Sequence, residues 1–268
     1  MKWLKITLVV LFAGVLTALG IDASDTLRGS NDTFLAQIIG SEKSDVCETG
    51  MVEVKTALSF TCVDEYEASP SEACPHKDIQ SEVETQENAN EEDCLPTSVK
   101  DALPWRYVSL AQAQQFCARA EKRLPTSEEW YTIAQGLSST DSCILFEKGG
   151  SVKQTGATSC VTSSGAYDIV GNVWEWVQGE VVEGKLGVKT LPESGFVTLV
   201  DSTGIVIETG VVGKDEYGKD YAWTDNQGVK GIIRGGFYGS GEDGGIYTQN
   251  MAVPLDFRTG GLGFRCIN

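Results

Sequence analysis

The chain has little histidine and little positive charge. Among its 268 residues there is one histidine, His76, and 38 acidic residues against 21 basic ones give a formal net charge of −17 at pH 7. A single histidine excludes histidine-rich iron and zinc sites, and it excludes a Ser-His-Asp hydrolase unless His76 itself serves in it. His76 stands in a polar stretch after Cys74-Pro75, which favours a loop residue without a special role. The acidic balance makes nucleic acid and anionic membranes poor partners.

Two further patterns are missing, a Cys-x-x-Cys pair and a second long apolar run. Without the first, a thiolate zinc site is not indicated. The one long apolar run, residues 6–19, follows a basic start and is shorter than the ~20 residues of a membrane span. Residues 1–20 therefore have the form of a secretory signal, with an uncleaved anchor as the alternative. We expect a secreted, periplasmic or cell-surface protein, with no membrane span once the signal is removed.

Eight cysteines agree with export, because an even count in an oxidising compartment predicts disulfides. Four bridges are expected, and spacing alone leaves their pairing open. A hydrophobic fraction of 41% is that of a folded protein with a core. We predict a polar linker or stalk over residues 21–45 and one folded domain over residues 46–268.

Local patterns predict an α+β domain. Capping boxes at Ser109-Leu110-Ala111-Gln112 and Thr126-Ser127-Glu128-Glu129 predict two helices. Residues 69–104 contain prolines and an acidic run, and we expect a solvated loop there. Of 30 glycines, 25 lie from Gly136 onward, which is typical of short strands joined by many turns. The expected fold is two helices plus loop-rich, short-stranded antiparallel β structure.

Several segments of this domain match the motifs of one known family in the same order. They are residues 64–69 (DEYEAS), 104–109 (PWRYVS), 122–130 (KRLPTSEEW), 167–176 (YDIVGNVWEW), 234–236 (RGG) and 263–266 (GFRC). With these segments the chain resembles the formylglycine-generating enzymes, also called sulfatase-modifying factors. The resemblance implies a variant of the C-type lectin fold over residues 46–268.

The resemblance implies a calcium site in the fourth segment. Carboxylates of Asp168 and Glu175 and backbone carbonyls of Gly171 and Val173 would be the ligands, and oxygen donors suit a hard cation. The family has asparagine at the position of Asp168, a change that keeps an oxygen donor. From spacing alone, a buried tryptophan hairpin with merely solvated acids is equally favoured.

The resemblance also implies one disulfide, between a cysteine of the first helix and the cysteine of the terminal GFRC segment. That bridge is Cys117–Cys266. For the remaining cysteines we assume pairing with the nearest neighbour. The assumed pairs are Cys47–Cys62, Cys74–Cys94 and Cys143–Cys160.

The chain departs from the family at the copper site. The family's enzymes bind copper through two cysteines shortly after the RGG segment, and the matching positions here are Ser240 and Gly245. A hydroxyl is too weakly acidic to replace a thiolate ligand, and glycine has no side chain. Copper and the sulfatase-modifying reaction are therefore not expected. Related enzymes that form sulfoxides use histidine-bound iron, which one histidine does not supply.

Without that chemistry, residues 237–258 are the candidate binding surface, because loops on rigid scaffolds carry function. Their mixture of aromatic, acidic and amide side chains is typical of paratopes, and the segment resembles the hypervariable tail of retroelement-diversified proteins. We expect an extracellular protein or glycan as ligand. The candidate ligand-binding residues are Phe237, Tyr238, Ser240, Glu242, Asp243, Tyr247, Gln249, Asn250, Asp256 and Arg258.

Three alternatives to a binding surface remain open at this point. The aromatic side chains of residues 237–258 are core in the first alternative, and the rest are ordinary turns. In the second, the chain is a family enzyme with a non-standard active site. In the third, it is a structural component of a cell envelope. Trp105 and Trp223 are also candidates to stack on a sugar, although such tryptophans are more often core or rim residues.

Overall fold

The fold is described for residues 46–138, 140–146 and 150–268 of a computed structural model. The predicted signal (1–20) and linker (21–45) lie outside the described residues. Residues from Cys47 to Asn268 form one unit. Its secondary structure is α+β, as the sequence predicts, with short helices and one large curled sheet.

Three helices are present in the described ranges: α1 (Glu82–Asn90), α2 (Leu110–Arg119) and α3 (Ser127–Ala134). The two predicted helices are confirmed together with their capping boxes, in which Ser109 and Thr126 each exchange hydrogen bonds with the residue three positions later. Helix α1 lies in the segment predicted to be loop, so that prediction was wrong.

Helix α1 escaped prediction because its buried side chains are mostly polar. Thr85 and Asn88 are both fully buried. The Thr85 hydroxyl donates to the carbonyl of Arg106 at 2.8 Å. Asn88 accepts from the backbone N–H of His76 at 2.9 Å and donates to its carbonyl at 2.8 Å. Hydrophobic periodicity, the main sequence indicator of a helix, is therefore absent from this segment.

Strand pairing is mixed, which corrects the expectation of antiparallel structure. The strands of the main sheet are β5 (Trp174–Val182), β6 (Lys185–Leu186), β7 (Lys189–Thr190), β8 (Gly195–Val200), β9 (Val206–Gly210), β10 (Tyr221–Thr224), β11 (Val229–Arg234), β12 (Gln249–Val253) and β13 (Leu262–Gly263). Their order is β7-β6-β5-β11-β12-β10-β8-β9, with β13 also paired to β5. The pairs β10–β12 and β13–β5 are parallel; parallel neighbours need a crossover connection, and other strands lie between the members of each pair along the chain.

Two antiparallel pairs and two 3-10 helices complete the described elements. Strand β1 (Met51–Glu53) pairs with β2 (Cys62–Asp64), and β3 (Ser69–Pro70) pairs with β4 (Pro96–Thr97). The 3-10 helices are Asp215–Tyr217 and Gly241–Asp243.

The main sheet has an apolar cluster on each face. On the first face, Val177 and Ile232 belong to the cluster that contains Trp130 of α3. On the second face, Trp174 and Trp176 pack in the cluster that contains Phe116 of α2. The two tryptophans thus share one side of β5, as their spacing predicts.

Four disulfides join the eight cysteines in the pairs expected from the sequence: Cys47–Cys62, Cys74–Cys94, Cys117–Cys266 and Cys143–Cys160. Cys117–Cys266 spans 149 residues, a loop for which the chain-entropy model gives ~5 kcal/mol of stabilisation. Beside this bridge, Ile267 makes β-bridges to Val63 and Arg123. Four disulfides fit an exported protein. No helix in the described ranges is long and apolar enough to cross a membrane.

Candidate functional site

The segment 168–175 turns sharply before it enters β5. Asp168, Gly171 and Asn172 all have positive φ, at 53°, 82° and 55°. At Gly171 a Cβ would lie 2.5 Å from the carbonyl oxygen of Ile144, so another residue does not fit without rearrangement. This backbone places Asp168 and Glu175 in the interior, where each is at most 1% exposed.

Glu175 is held by two side chains. Its Oε1 accepts from Arg265 at 2.6 Å (Nη2) and 2.7 Å (Nε), and its Oε2 accepts from the indole of Trp130 at 2.6 Å. Arg265 is fully buried and also donates to the carbonyls of Asp64 and Tyr167. The arginine of the terminal GFRC segment is therefore the buried counter-charge of Glu175.

Two more carboxyl groups lie in the same buried region. Asp168 Oδ2 accepts from the backbone N–H of Gly156 at 2.6 Å, while its Oδ1 is buried without a hydrogen-bond partner. Burial raises the pKa of Asp168 to about 6. Glu67 accepts from the Asn172 amide at 2.6 Å. Burial raises the pKa of Glu67 well above its usual range, and the neighbouring Asp168 and Glu175 raise it further.

The predicted calcium ligands fit a cation in part. The unpartnered Oδ1 of Asp168 is available as a ligand. If Glu67, Asp168 and Glu175 were all ionised, their three negative charges would exceed the one positive charge of Arg265. That excess would favour a further cation. Glu175 is already bound by Arg265 and Trp130. Within the described ranges, no three or more His, Cys, Asp or Glu side chains converge as a metal site.

The two positions that match the copper cysteines are part of the backbone packing. Ser240 Oγ accepts from the backbone N–H of Phe237 at 2.9 Å. At Gly245 a Cβ would lie 2.2 Å and 2.4 Å from the two carboxylate oxygens of Asp220. A cysteine at Gly245 therefore has no space unless Asp220 moves, and the Ser240 hydroxyl already serves the turn.

Asp220 lies beside this candidate site and is not indicated by the sequence, because no motif surrounds it. Asp220 is 3% exposed, and its Oδ2 accepts from the backbone N–H of Tyr247 at 2.7 Å. Burial raises the pKa of Asp220 to about 7. It is a buried carboxyl whose charge has no ion pair within salt-bridge distance in the described structure.

A groove opens beside Asp220. It consists of two cavities of about 290 and about 260 Å³ that share Thr140, Gly218 and Gly244 as lining residues. The other lining residues are Leu145, Phe146, Asp215, Lys219, Gly241 and Glu242 in the first cavity, and Leu137, Ser138, Asp220, Gly245, Ile246 and Tyr247 in the second. Acidic groups outnumber Lys219, so the groove favours a ligand with a cationic or hydrogen-donating group.

Part of the predicted ligand surface lines this groove. Glu242 is exposed and lines the first cavity, and Tyr247 is half-buried in the second. The Tyr247 ring packs on Tyr217 with 5.2 Å between centroids. Asp243 lies between these residues in the Gly241–Asp243 helix, and the Ser240 side chain turns inward.

The remaining predicted ligand residues lie elsewhere, so residues 237–258 do not form one face. Gln249 is fully buried and donates to the carbonyl of Gly204 at 2.8 Å. Arg258 donates to Gln112 and Glu82 on the helical side of the domain. Phe237 packs against the second core cluster, and its ring contacts the ring of Tyr238. Asn250 lies on β12, and Asp256 is exposed.

No protein-family model matches the chain, and no curated protein matches it. Among solved structures, the chain is similar to the Major Tropism Determinant P3c variant at 13% identity and a TM-score of 0.45, over 83% of this chain and 53% of that one. It thus spans about half the length of that protein. It is also similar to Treponema denticola variable protein 1, at 15% identity and a TM-score of 0.43, over 82% of this chain and 91% of that one. A third similar structure is PvdO from Pseudomonas aeruginosa, at 14% identity and a TM-score of 0.43, over 77% of this chain and 79% of that one. Likeness at this level assigns no function to this chain.

Proposed function

We propose that the protein is an exported, non-catalytic ligand-binding protein on a C-type-lectin-like, formylglycine-generating-enzyme-like scaffold. Its binding site is the groove beside Asp220. The motifs of the sequence support the scaffold, and four disulfides support export. The ligand is an extracellular protein or glycan, presented to the groove from outside the cell.

The packing at Gly245 is the observation that carries the proposal. A catalytic cysteine needs a side chain that reaches substrate and metal, whereas the carboxylate of Asp220 fills the space next to this glycine. The Tyr247 N–H holds that carboxylate in place at 2.7 Å. The former enzyme position is therefore occupied by a fixed acidic group, which suits recognition better than thiol chemistry.

Copper and thiol assays separate this proposal from an enzyme of the same family. The purified protein is titrated with copper(I) and then incubated with a cysteine-containing peptide and oxygen. We expect no tight copper binding and no peptide oxidation. Tight copper(I) binding with turnover would overturn the non-catalytic assignment.

The groove is tested by binding screens against glycans, envelope extracts and secreted proteins. For any ligand found, Glu242→Gln and Phe146→Ala are expected to weaken binding, because both side chains line the groove and are exposed. Val188→Ala is the matched control, since Val188 is 98% exposed and lies outside the groove. Equal effects of all three variants would place the ligand elsewhere, and assembly into an array would favour a structural envelope component.

Diversification by a retroelement is a separate proposal for the same segment. A near-copy of the terminal coding region that differs only at adenines, next to a reverse transcriptase gene, is the expected genomic arrangement. Without such a copy, the protein is a binder of fixed specificity.

Calcium binding is also a proposal, with Asp168 as its free side-chain ligand. The unpartnered Oδ1 of Asp168 and the surplus of buried carboxyl groups support it. The carbonyls of Gly171 and Val173 would complete the oxygen donors, with Glu175 shared with Arg265. Calcium at a hundred times its dissociation constant should raise the unfolding free energy by ~2.7 kcal/mol. A thermal midpoint that stays unchanged when a chelator removes calcium would contradict the proposal.

A further inference from the structure

Four aromatic side chains form a continuous ladder on the second face of the main sheet. Phe196 of β8 contacts Tyr221 of β10 with 5.3 Å between ring centroids, and Tyr221 contacts Trp223 at 4.7 Å. Trp223 contacts Trp174 of β5 at 5.9 Å. Phe196, Tyr221 and Trp223 are half-buried, whereas Trp174 is 7% exposed. We name these four residues the aromatic ladder.

The ladder continues the second face beyond its covered part. Trp174 belongs to the cluster that α2 covers through Phe116, and Trp223 packs at the margin of that cluster. Ala222, between Tyr221 and Trp223 on β10, belongs to the first cluster. Alternation along the strand therefore directs the two aromatic rings to the opposite side of the sheet. The ladder begins in the core and runs outward into solvent.

One neighbour of the ladder is an uncharged polar side chain. Asn250 of β12 is the register partner of Trp223 and is half-buried. In a chain of net charge −17, aromatic rings beside an amide and the Tyr221 hydroxyl suit an uncharged ligand.

The ladder also has unused hydrogen-bond donors. The indoles of Trp130 and Trp176 donate to Glu175 and to the carbonyl of Val108. Within the described part of the chain, the indoles of Trp174 and Trp223 and the hydroxyl of Tyr221 make no hydrogen bond, and they are not among the buried unpartnered groups. An occupant of the ladder therefore meets ring faces and free polar groups together.

We propose that the aromatic ladder is a binding platform for a neutral glycan. Sugar rings have apolar C–H faces that stack on aromatic rings and hydroxyl groups that pair with the indole, phenol and amide groups. Three half-buried aromatic residues of about 200 Å² each expose far less than the ~800 Å² per partner of a stable protein interface. The acidic chain repels anionic polysaccharides.

This proposal does not rest on the groove, whose Ile246 and Tyr247 pack against the first core cluster. It is tested by calorimetric titration of the full secreted chain with cellohexaose, maltohexaose, chitohexaose and mannohexaose. Hexagalacturonate serves as the charged comparison. We expect at least one neutral hexaose to bind, with a change in tryptophan fluorescence, and hexagalacturonate not to bind.

Trp223→Ala and Tyr221→Ala should each weaken that binding by about tenfold or more, which corresponds to ~1.4 kcal/mol. Trp223→Phe keeps a stacking ring and should bind between the wild type and Trp223→Ala, which decides the test if the alanine variant does not fold. Val188→Ala, a change of an apolar side chain that is 98% exposed and belongs neither to the ladder nor to the groove, should bind as the wild type does.

Four results would overturn the proposal. The first is no binding of any neutral hexaose at millimolar concentration. The second is binding that Trp223→Phe and Tyr221→Ala leave unchanged. The third is binding of hexagalacturonate as tight as that of the neutral sugars. The fourth is a protein partner whose binding is lost in the same variants while no sugar binds.

Discussion

The segment 168–175 and the segment 237–258 use acidic residues in opposite ways. In the first, Glu175 is bound on both oxygens by Arg265 and Trp130 in the centre of the domain. Around the second, Asp220 is bound by a backbone N–H and lines an open groove. A buried acid with a guanidinium partner connects distant parts of the chain, whereas a buried acid without one has a raised pKa and gains or loses its proton near neutral pH, where a ligand can influence it.

The same difference appears in the backbone. Segment 168–175 runs into β5, which pairs with β6, β11 and β13 in the interior of the sheet. Segment 237–258 has a 3-10 helix and turns before β12. We therefore expect substitutions near Glu175 to act on stability and substitutions near the groove to act on binding.

The largest effect is expected for Arg265→Met, which leaves Glu175 as an unpaired buried charge. Breaking a buried pair from one side costs ~3–5 kcal/mol, measured as the free energy of unfolding in urea. Glu175→Gln in the same chain should recover part of the loss, because it removes the charge and still accepts from Trp130. Arg258→Met is the control, since Arg258 pairs with the exposed Glu82 and should lose less than ~1 kcal/mol. Equal losses at both arginines would contradict the comparison.

A pH effect is expected at Asp220. Its pKa is raised from 3.8 to about 7, so the folded state binds this proton more tightly than the unfolded state. The stability from this group is fully present below the unfolded pKa and is lost as the pH rises through about 7, on the order of 2–4 kcal/mol.

Asp220→Asn has no such proton, so it provides the reference. Urea unfolding at about pH 5 and about pH 8 should show the wild type losing stability relative to Asp220→Asn at the higher pH. Asp215→Asn is the control, because the Asp215 side chain is 95% exposed. A difference between wild type and Asp220→Asn that does not change with pH would rule out the buried acid.

Gly245→Ala tests the packing of Gly245 against Asp220. The new Cβ would meet the Asp220 carboxylate at 2.2 Å, and overpacking of this kind costs ~1–3 kcal/mol. In the background of Asp220→Ala the same substitution should cost much less, because the clashing group is gone. Additive losses in the double variant would show that the two positions do not compete for space.

The smallest effect on stability is expected for Glu242→Gln. Glu242 is exposed and forms no ion pair in the described structure, so the free energy of unfolding should change by less than ~0.5 kcal/mol. Binding of a groove ligand should weaken while the thermal midpoint stays the same. A large loss of stability would mean that the groove is part of the structural framework.

Prediction from the sequence succeeded where a local pattern decides structure. The capping boxes at Ser109 and Thr126 give both helix starts. Prediction failed at α1, which has no apolar face. Its buried Thr85 and Asn88 instead form hydrogen bonds with the backbone of Arg106 and His76, and both of these residues lie outside the helix.

The candidate site was predicted less well than the fold. The sequence predicts one surface over residues 237–258, but Gln249 is buried and Arg258 lies beside α1 and α2. Alternation and spacing give the side of a strand, and they do not give the path of a glycine-rich loop. Asp220 has no motif, since its role comes from contact with Gly245 and Tyr247, 25 and 27 positions further along the chain.

By itself the sequence determined the α+β class, the capped helices, the absence of a thiol at positions 240 and 245 and the shared face of Trp174 and Trp176. These depend on residue types and on short spacings, which are visible in one dimension. Tertiary structure alone decided that Arg265 binds Glu175, that Asp220 occupies the space at Gly245, and that the aromatic ladder reaches solvent. Those contacts join residues distant along the chain, and burial, which fixes their charge and exposure, exists only once the chain has folded.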